Sequence, residues 1–386
     1  MKNPWNNFKL KLDVLKDLGY LGSSNIIGVG ISAVFWFYLA NLLGAEGYGE
    51  IQYYLGIAGI AYFASMIGTS NTITVYAAKN VKIHSTLFLI SLVGGLLSFL
   101  VILSILQRLD VGLMIFGYII NELALSYVIG KKLYSKYSKN VIIQKILTVI
   151  FGLSFYYLFG PEGIIYGLAL SYIHFTIIVY KGFRESRIKF SSLKSHRGFI
   201  INNYLESVVN GLRSNIDKII IVPLVGFTVL GNYALAMQLF VVSIMPSEIV
   251  FRYIVPQDAS GTPNPQLKWI TVFMSIGIAV FGITISPMLI TYFFPTYTDA
   301  IEAIQIISIS AVPTTIGFLF ISKLLSLEKS KFILFGRLIS MSTITLGMII
   351  LSKSFGITGI ATAFVLSTTA QTIFFIFAYK KIMVKG

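Results

Sequence analysis

Six ionisable side chains fall inside stretches apolar enough to cross a membrane: Glu122, Glu206, Arg213, Asp217, Lys218 and Glu248. A charge at the centre of a bilayer costs several kcal/mol, so each such group marks a candidate site for a substrate, an ion or a compensating partner. Four of the six lie in one run, residues 199–224. At 100° per residue, Asn210, Arg213 and Asp217 all lie within about 40° of Glu206 on one helix face, and Asn202 extends the same stripe. With Phe199 at the inner end and a rise of about 1.5 Å per residue, Arg213 lies about 21 Å along, near the membrane middle, and Asp217 approaches the outer edge. A face of this kind cannot meet lipid, so it meets another helix or water. In the plainer reading Arg213 and Asp217 neutralise each other as an i,i+4 pair inside a bundle. In the other, the stripe lines a hydrated cavity, which accounts for Asn202, Glu206 and Asn210 where a lone pair does not.

The remaining polar residues of the spans divide in the same way. Asn25 and Ser32 share a face with Gly28 between them, and Ser65, Thr69 and Thr72 lie in the next span. Interhelical hydrogen bonding and close packing of small residues explain them more readily than ligand contact, with cavity lining as the second reading, Asn25 included. Lys218 adjoins the stripe. Glu248 has Arg252 one turn on and reads as a structural pair, whereas Glu122 has no charged partner in its own helix. Glu122, with Asp217 and Glu206, is therefore a candidate for ion coupling, against a simple interhelical contact. His84 and His196 fall in connections and read as solvated surface, and His174 reads as an interhelical hydrogen bonder. The chain has no cysteine, no metal-ligand spacing, no GxSxG, no P-loop and no Rossmann fingerprint. No metal, cofactor or catalytic residue is expected.

The elements that position these groups follow from composition. Of 386 residues, 56% are apolar and 12% charged, against roughly a quarter charged in soluble domains, which excludes a soluble globule. Charge clusters and Gly/Pro breaks predict twelve spans, at 19–43, 48–76, 86–106, 111–130, 141–160, 162–181, 199–224, 229–251, 268–294, 300–323, 332–351 and 356–379. The first is span-length and lacks a small-residue cleavage site, so it reads as a span and not as a signal peptide. With both termini cytoplasmic, the inner segments collect 26 of the 30 Lys and Arg, among them Lys2, Lys9, Lys11, Lys16, Lys145, Arg337 and Lys385. The formal charge of +15 then needs no nucleic acid, because anionic lipid headgroups already partner the inner loops.

The most basic connection falls at mid-chain. It suggests an N-terminal six-helix lobe, 1–181, a cytoplasmic linker, 182–198, and a C-terminal six-helix lobe, 199–386. A repeat supports the division: Leu43-Gly-Ala-Glu-Gly-Tyr-Gly49 answers Val225-Gly-Phe-Thr-Val-Leu-Gly231, and Gly163-Ile-Ile-Tyr-Gly-Leu-Ala-Leu-Ser171 answers Gly359-Ile-Ala-Thr-Ala-Phe-Val-Leu-Ser367. An even number of spans per half gives both halves the same orientation, about an axis along the membrane normal.

The segment from Asn215-Ile-Asp-Lys through Val225-Gly and Tyr233-Ala-Leu-Ala to Leu239 resembles the seventh and eighth spans of polysaccharide exporters of the O-antigen flippase type. The turn at 43–49, the segment Tyr297-Thr-Asp-Ala-Ile-Glu-Ala-Ile-Gln-Ile-Ile-Ser308 and the closing 356–367 are similar to the corresponding parts of that family, and the likeness runs over nearly the whole chain. The resemblance implies a member of the multidrug/oligosaccharidyl-lipid/polysaccharide (MOP) superfamily: an all-α integral membrane protein with two six-helix lobes around a central cavity. It implies a flippase, not an enzyme, moving a polyprenyl-(pyro)phosphate-linked oligosaccharide to the external leaflet of the cell membrane by alternating access, with membrane lipids and a Na+ or H+ gradient as partners. Cationic cavity residues in that family are assigned to pyrophosphate or acidic sugars. Arg213 is the midplane candidate, although Glu206 and Asp217 leave its stripe without net positive charge. The competing readings are an ion-coupled exporter of organic cations from the same superfamily, using Glu122, Glu206 and Asp217, and more distantly a membrane glycosyltransferase or polymerase. The short outer connections disfavour the last.

Overall fold

The computed structural model describes residues 4–385. Lys2 lies outside them, as do the side chains of Lys9, Lys11, Lys16 and Lys385, all counted above on the inner side.

Among the described residues the chain is helical and contains no strand. A lipid-embedded chain has no water to satisfy its backbone, and a helix pairs each N–H and C=O within itself. The helices are α1 (Pro4–Ser65), α2 (Ser70–Ala78), α3 (His84–Leu106), α4 (Leu109–Gly130), α5 (Tyr134–Phe159), α6 (Gly163–Leu170), α7 (Thr176–Arg184), α8 (Arg197–Val225), α9 (Phe227–Ala259), α10 (Pro265–Thr284), α11 (Ser286–Phe293), α12 (Thr298–Ile309), α13 (Ala311–Ser326) and α14 (Ser330–Lys385).

Nine helical stretches among the described residues are long and apolar enough to cross a membrane. Two of them are folded back at glycines with positive φ, α1 at Gly44 (66°) and α14 at Gly356 (52°), so each supplies two crossings. The charged and polar residues of α8 keep it out of that set, yet its 29 residues suffice for a crossing. Twelve crossings result, as the sequence predicts.

Several expected boundaries are corrected. The second span breaks after Ser65, and Thr69 caps α2 by accepting the Thr72 N–H. The sixth is α6 and α7 joined through a 3-10 segment, Ile173–Phe175, the ninth breaks at Ile285, and the tenth breaks at Ser310. α5 starts at Tyr134, so Lys136 and Lys139, expected in the connection before 141–160, are helical, as is Lys145. The Lys145 stem packs where a Cβ on Gly28 would sit, at 3.6 Å. Arg337, counted with the inner basic residues although it falls in the predicted span 332–351, is inside α14.

The residues form two compact units, 1–35 with 57–212 and 36–56 with 213–386. Residues 36–56 group with the second unit and 199–212 with the first. In the second unit, Tyr48 is 1% exposed and lies edge-on to both Trp36 (6.2 Å) and Tyr297 (6.4 Å). The Tyr297 hydroxyl donates to the Ala40 carbonyl at 2.6 Å. Gly49 and Gly231 close this packing, because a Cβ on the first would overlap the Phe227 carbonyl and one on the second the Ala45 carbonyl. Only glycine permits that approach of backbones.

The sequence repeat is thereby given a conformation. Gly44 and Gly226 share a positive φ (66° and 87°), as do Gly160 and Gly356 (74° and 52°). A Cβ on Gly163 would meet the Phe155 carbonyl and one on Gly359 the Leu351 carbonyl, each eight residues upstream. Large apolar side chains such as Val34 (71% exposed) and Leu158 (72%) cover the outer surface, as lipid requires.

Candidate functional site

In the second unit, α8 presents Arg213 to α14. Its Nε donates to Ser340 Oγ at 3.4 Å and its Nη2 to Gln371 Oε1 at 3.2 Å. Ser340 and Gln371 stand on opposite sides of the break at Gly356, so one guanidinium ties both halves of α14 to α8. Beside it is a cavity of ≈ 240 Å³, lined by Arg213, Arg337, Thr314, Thr368 and Gln371, with Phe240, Phe251, Phe318 and Phe364 among its apolar walls. Phe251 stacks on Phe318 at 5.1 Å and Phe240 meets Phe364 edge-on at 5.7 Å. The Thr314 hydroxyl oxygen is buried and has no hydrogen-bond partner. No carboxylate is among the lining residues. Two guanidinium groups, a hydroxyl and an amide set in an aromatic wall can bind an anionic oxygen cluster and stack against an apolar or sugar face.

Asp217 does not pair with Arg213. Its Oδ1 accepts the backbone N–H of Lys218 at 2.9 Å and its Oδ2 accepts the Tyr233 hydroxyl at 3.3 Å. Lys218 lays its stem along Gly56, where a Cβ would come within 3.0 Å of the Lys218 Cβ. The acid that was expected to cancel Arg213 is thus engaged elsewhere, and a second arginine joins the first. Arg337 was missed because it lies near the inner end of its predicted span, 332–351, and was counted with the cytoplasmic basic residues. Its spacing of three from Ser340 was the available signal, since residues i and i+3 share a helix face.

The unit boundary passes through α8 between Leu212 and Arg213. Of the stripe, Arg213, Asp217 and Lys218 fall in the second unit and Asn202, Glu206 and Asn210 in the first. Asn202 and Glu206 are exposed, while Asn210 and, on α1, Asn25 are half-buried. Tyr204, on α8, donates to the Ala64 carbonyl at 2.7 Å within the first unit.

Glu122 of α4 lies in the first unit and is half-buried. It shares hydrogen bonds with Tyr62, Ser70 and Ser126, and Ser126 Oγ itself donates to Ser70 Oγ at 2.8 Å. Tyr62, Tyr118 and Tyr172 follow one another with ring centroids 5.7 and 5.9 Å apart. The carboxyl is therefore bonded by hydroxyls and not by a cation, a setting in which it can carry a proton or bind a small cation. These partners sit on other helices or one turn along, where a search for charges does not look.

Ser65 donates to Ser98 at 2.7 Å, an interhelical hydrogen bond of the expected kind. Glu248 accepts from Arg252 at 2.7 Å. His174 bridges α5 and its own turn through the carbonyls of Asn140 and Ser171, and His196 packs on Tyr76 at 4.7 Å. His84 is a correction: it is not solvated but 3% exposed, enclosed by the rings of Phe88 and Tyr127. Among the described residues no group of three or more His, Asp or Glu is placed to hold a metal.

Twelve helical crossings in two repeated halves define a multi-pass integral membrane protein. The chain belongs to the polysaccharide biosynthesis protein family, whose model matches residues 14–255. Among solved structures it is similar to an inward-facing multidrug resistance MATE family transporter of the MOP superfamily, with TM-score 0.69 and 14% identity over 92% of this chain and 94% of that one. It is also similar to lipid II flippase MurJ in an inward closed conformation, with TM-score 0.71 and 13% identity over 95% and 87%. An outward-facing MATE family transporter gives TM-score 0.66 and 15% identity over 96% of each chain. At such identities the likeness speaks for the fold, which is that of the MOP superfamily. No curated protein sequence matches the chain.

Proposed function

We propose that this protein is a flippase that carries a polyprenyl-(pyro)phosphate-linked oligosaccharide from the cytoplasmic to the external leaflet of the cell membrane. The observation that carries the reading is the pairing of Arg213 with Arg337 in one carboxylate-free cavity, in a chain of a polysaccharide biosynthesis family. The two guanidiniums bind phosphate oxygens in forked geometry, Thr314 and Gln371 add hydrogen bonds, and the phenylalanines accept the apolar face of a sugar. The lobes 1–181 and 199–386, joined through 182–198, supply the alternating movement. Transport makes and breaks no covalent bond, so no residue acts as a catalyst.

Glu122 favours a coupled mechanism, in which protonation or Na+ binding among Tyr62, Ser70 and Ser126 biases one conformation. An exporter of organic cations is the second reading, and the same carboxyl with its row of tyrosines supports it.

The deciding experiment follows a fluorescent polyprenyl-pyrophosphate oligosaccharide in proteoliposomes containing wild type, Arg213→Gln, Arg337→Gln or no protein. Movement by wild type, and its loss in both folded variants, is the expected result. Full activity in either variant removes that arginine from the mechanism, and export of organic cations without lipid movement overturns the flippase reading.

A further inference from the structure

A second cavity of the second unit, of ≈ 500 Å³, lies where α10 begins and α13 ends, and Lys268, Trp269, Val272, Leu319, Phe320 and Lys323 line it. The acid of this region is already filled. Asp258, at the end of α9, takes the Lys268 ammonium on Oδ1 at 2.6 Å and the Ser322 hydroxyl on Oδ2 at 2.7 Å, and its side chain is 4% exposed. Lys323 makes no ion pair among the described residues. Its Nζ instead stands 4.6 Å from the Phe320 ring centroid and 4.8 Å from that of Tyr379. Ring faces attract the ammonium charge but do not satisfy its three N–H donors as oxygens do, so Lys323 retains capacity for an anion.

The walls say which anion. Trp269 and Phe273, one helical turn apart with centroids at 6.3 Å, are 64% and 66% exposed and continue the apolar wall outward. Pro263 and Pro265 stiffen the rim, and Asn264 fixes the start of α10 by accepting the Leu267 N–H at 3.0 Å. A soluble phosphate gains nothing from such a wall, whereas a lipid covers it with an acyl chain while its headgroup reaches the ammonium. A tryptophan beside lysines is the pattern of a membrane interface, and anionic headgroups draw lysines there.

We propose that this groove binds an anionic glycerophospholipid, its phosphate on Lys323 and an acyl chain along Trp269, Val272 and Phe320. The site is separate from the Arg213 cavity and does not depend on which substrate that cavity takes.

The test measures tryptophan quenching in proteoliposomes by phosphatidylglycerol with brominated acyl chains against brominated phosphatidylcholine at equal mole fraction. Trp269→Phe supplies the background from Trp5 and Trp36. One lysine enriches anionic lipid by about five-fold near it, and that preference is expected in the quenching of wild type. It should vanish in Lys323→Gln, persist in Lys323→Arg, and be missing from the residual signal of Trp269→Phe. Equal quenching by the two lipids in wild type overturns the proposal, as does an undiminished preference in Lys323→Gln. Loss of the preference in Lys323→Arg as well, in protein that melts normally, also overturns it, because charge is then not what the site reads. Added polyprenyl phosphate that abolishes the preference at trace mole fraction assigns the groove to the isoprenoid carrier and overturns the phospholipid assignment.

Discussion

Gly49 and Gly231 meet where α1 crosses α9, and the relation between them is reciprocal: a Cβ on either would overlap the carbonyl at the start of the other's helix turn, Phe227 or Ala45. The same interval separates Gly49 from Gly231 and Ala45 from Phe227, which makes the crossing a local two-fold built from the repeat. It also holds residues 36–56 in the second unit. Alanine at either position must push two backbones apart, and overpacking of this kind costs about 1–3 kcal/mol. Gly49→Ala and Gly231→Ala should therefore lower the melting temperature of detergent-solubilised protein. Gly277→Ala on α10, where no atom lies within 4 Å of an added Cβ, should leave it unchanged or raise it slightly. Equal melting of all three would show that the crossing opens freely.

The arginines of the cavity separate charge from shape. Arg213→Lys keeps the charge and loses the fork that reaches Ser340 and Gln371. A hydrogen bond to a charged group is worth about 1.5–3 kcal/mol, so apparent affinity for the lipid-linked substrate should fall about ten-fold or more in Arg213→Lys as well as in Arg213→Gln. Concentration dependence of translocation reads this directly, and retention of wild-type affinity by the lysine variant would reduce Arg213 to a point charge.

How far these features were legible follows from their range along the chain. The twelve crossings and the glycine repeat are local in sequence, so hydropathy and spacing reveal them, including the breaks at Gly44 and Gly356. The Arg213 stripe is local too. What covers that stripe is not, because Ser340 and Gln371 come from more than a hundred residues away. An i,i+4 partner is the nearest charge in sequence, yet Tyr233 and the Lys218 backbone take Asp217 instead. Arg337 and His84 share a cause: each lies near a helix end, where sequence reading assigns polar residues to water. The membership of 36–56 depends on a backbone contact of two glycines, which periodicity does not encode.

Glu185 gives a pH dependence outside the spans. The Tyr127 hydroxyl, opposed by partial desolvation and aided by Lys131 at 3.0 Å, holds its carboxyl below the usual glutamate range. A depressed folded-state value means stability that is complete above the unfolded-state value, about 4.3, and is lost as pH falls through the folded one. Because the Glu185 side chain is 46% exposed, solvent screening keeps the contribution under about 1 kcal/mol. Glu185→Gln should melt slightly below wild type at pH 7, with the difference closing as pH is brought down through the acid range. A gap that persists unchanged at low pH would mean that Glu185 acts through packing.

Glu122→Gln tests coupling without dismantling its surroundings, since the amide oxygen can still accept from Ser70 and Tyr62 while the amide N–H donates to Ser126. Translocation driven by a proton or Na+ gradient should lose its gradient dependence in this variant while the melting temperature holds within about 1 kcal/mol of stability. Unchanged dependence on the gradient would leave Glu122 as a hydrogen-bonded strut between α1, α2 and α4.

The cysteine-free chain makes the cavity chemically addressable. Thr314 contributes a buried hydroxyl without a partner to the cavity that holds Arg213 and Arg337, so a thiol at that position reports whatever occupies it. Thr314→Cys replaces the hydroxyl with a group of similar size and should leave the fold intact. A maleimide should label it, and pyrophosphate should slow the labelling several-fold where sulfate at equal ionic strength does not, because two guanidiniums distinguish a forked diphosphate from a single tetrahedral anion. Introducing Arg213→Gln into Thr314→Cys should abolish the protection while leaving labelling itself in place. Protection that survives the loss of Arg213 would put the anion elsewhere, and equal protection by sulfate would show screening and not recognition.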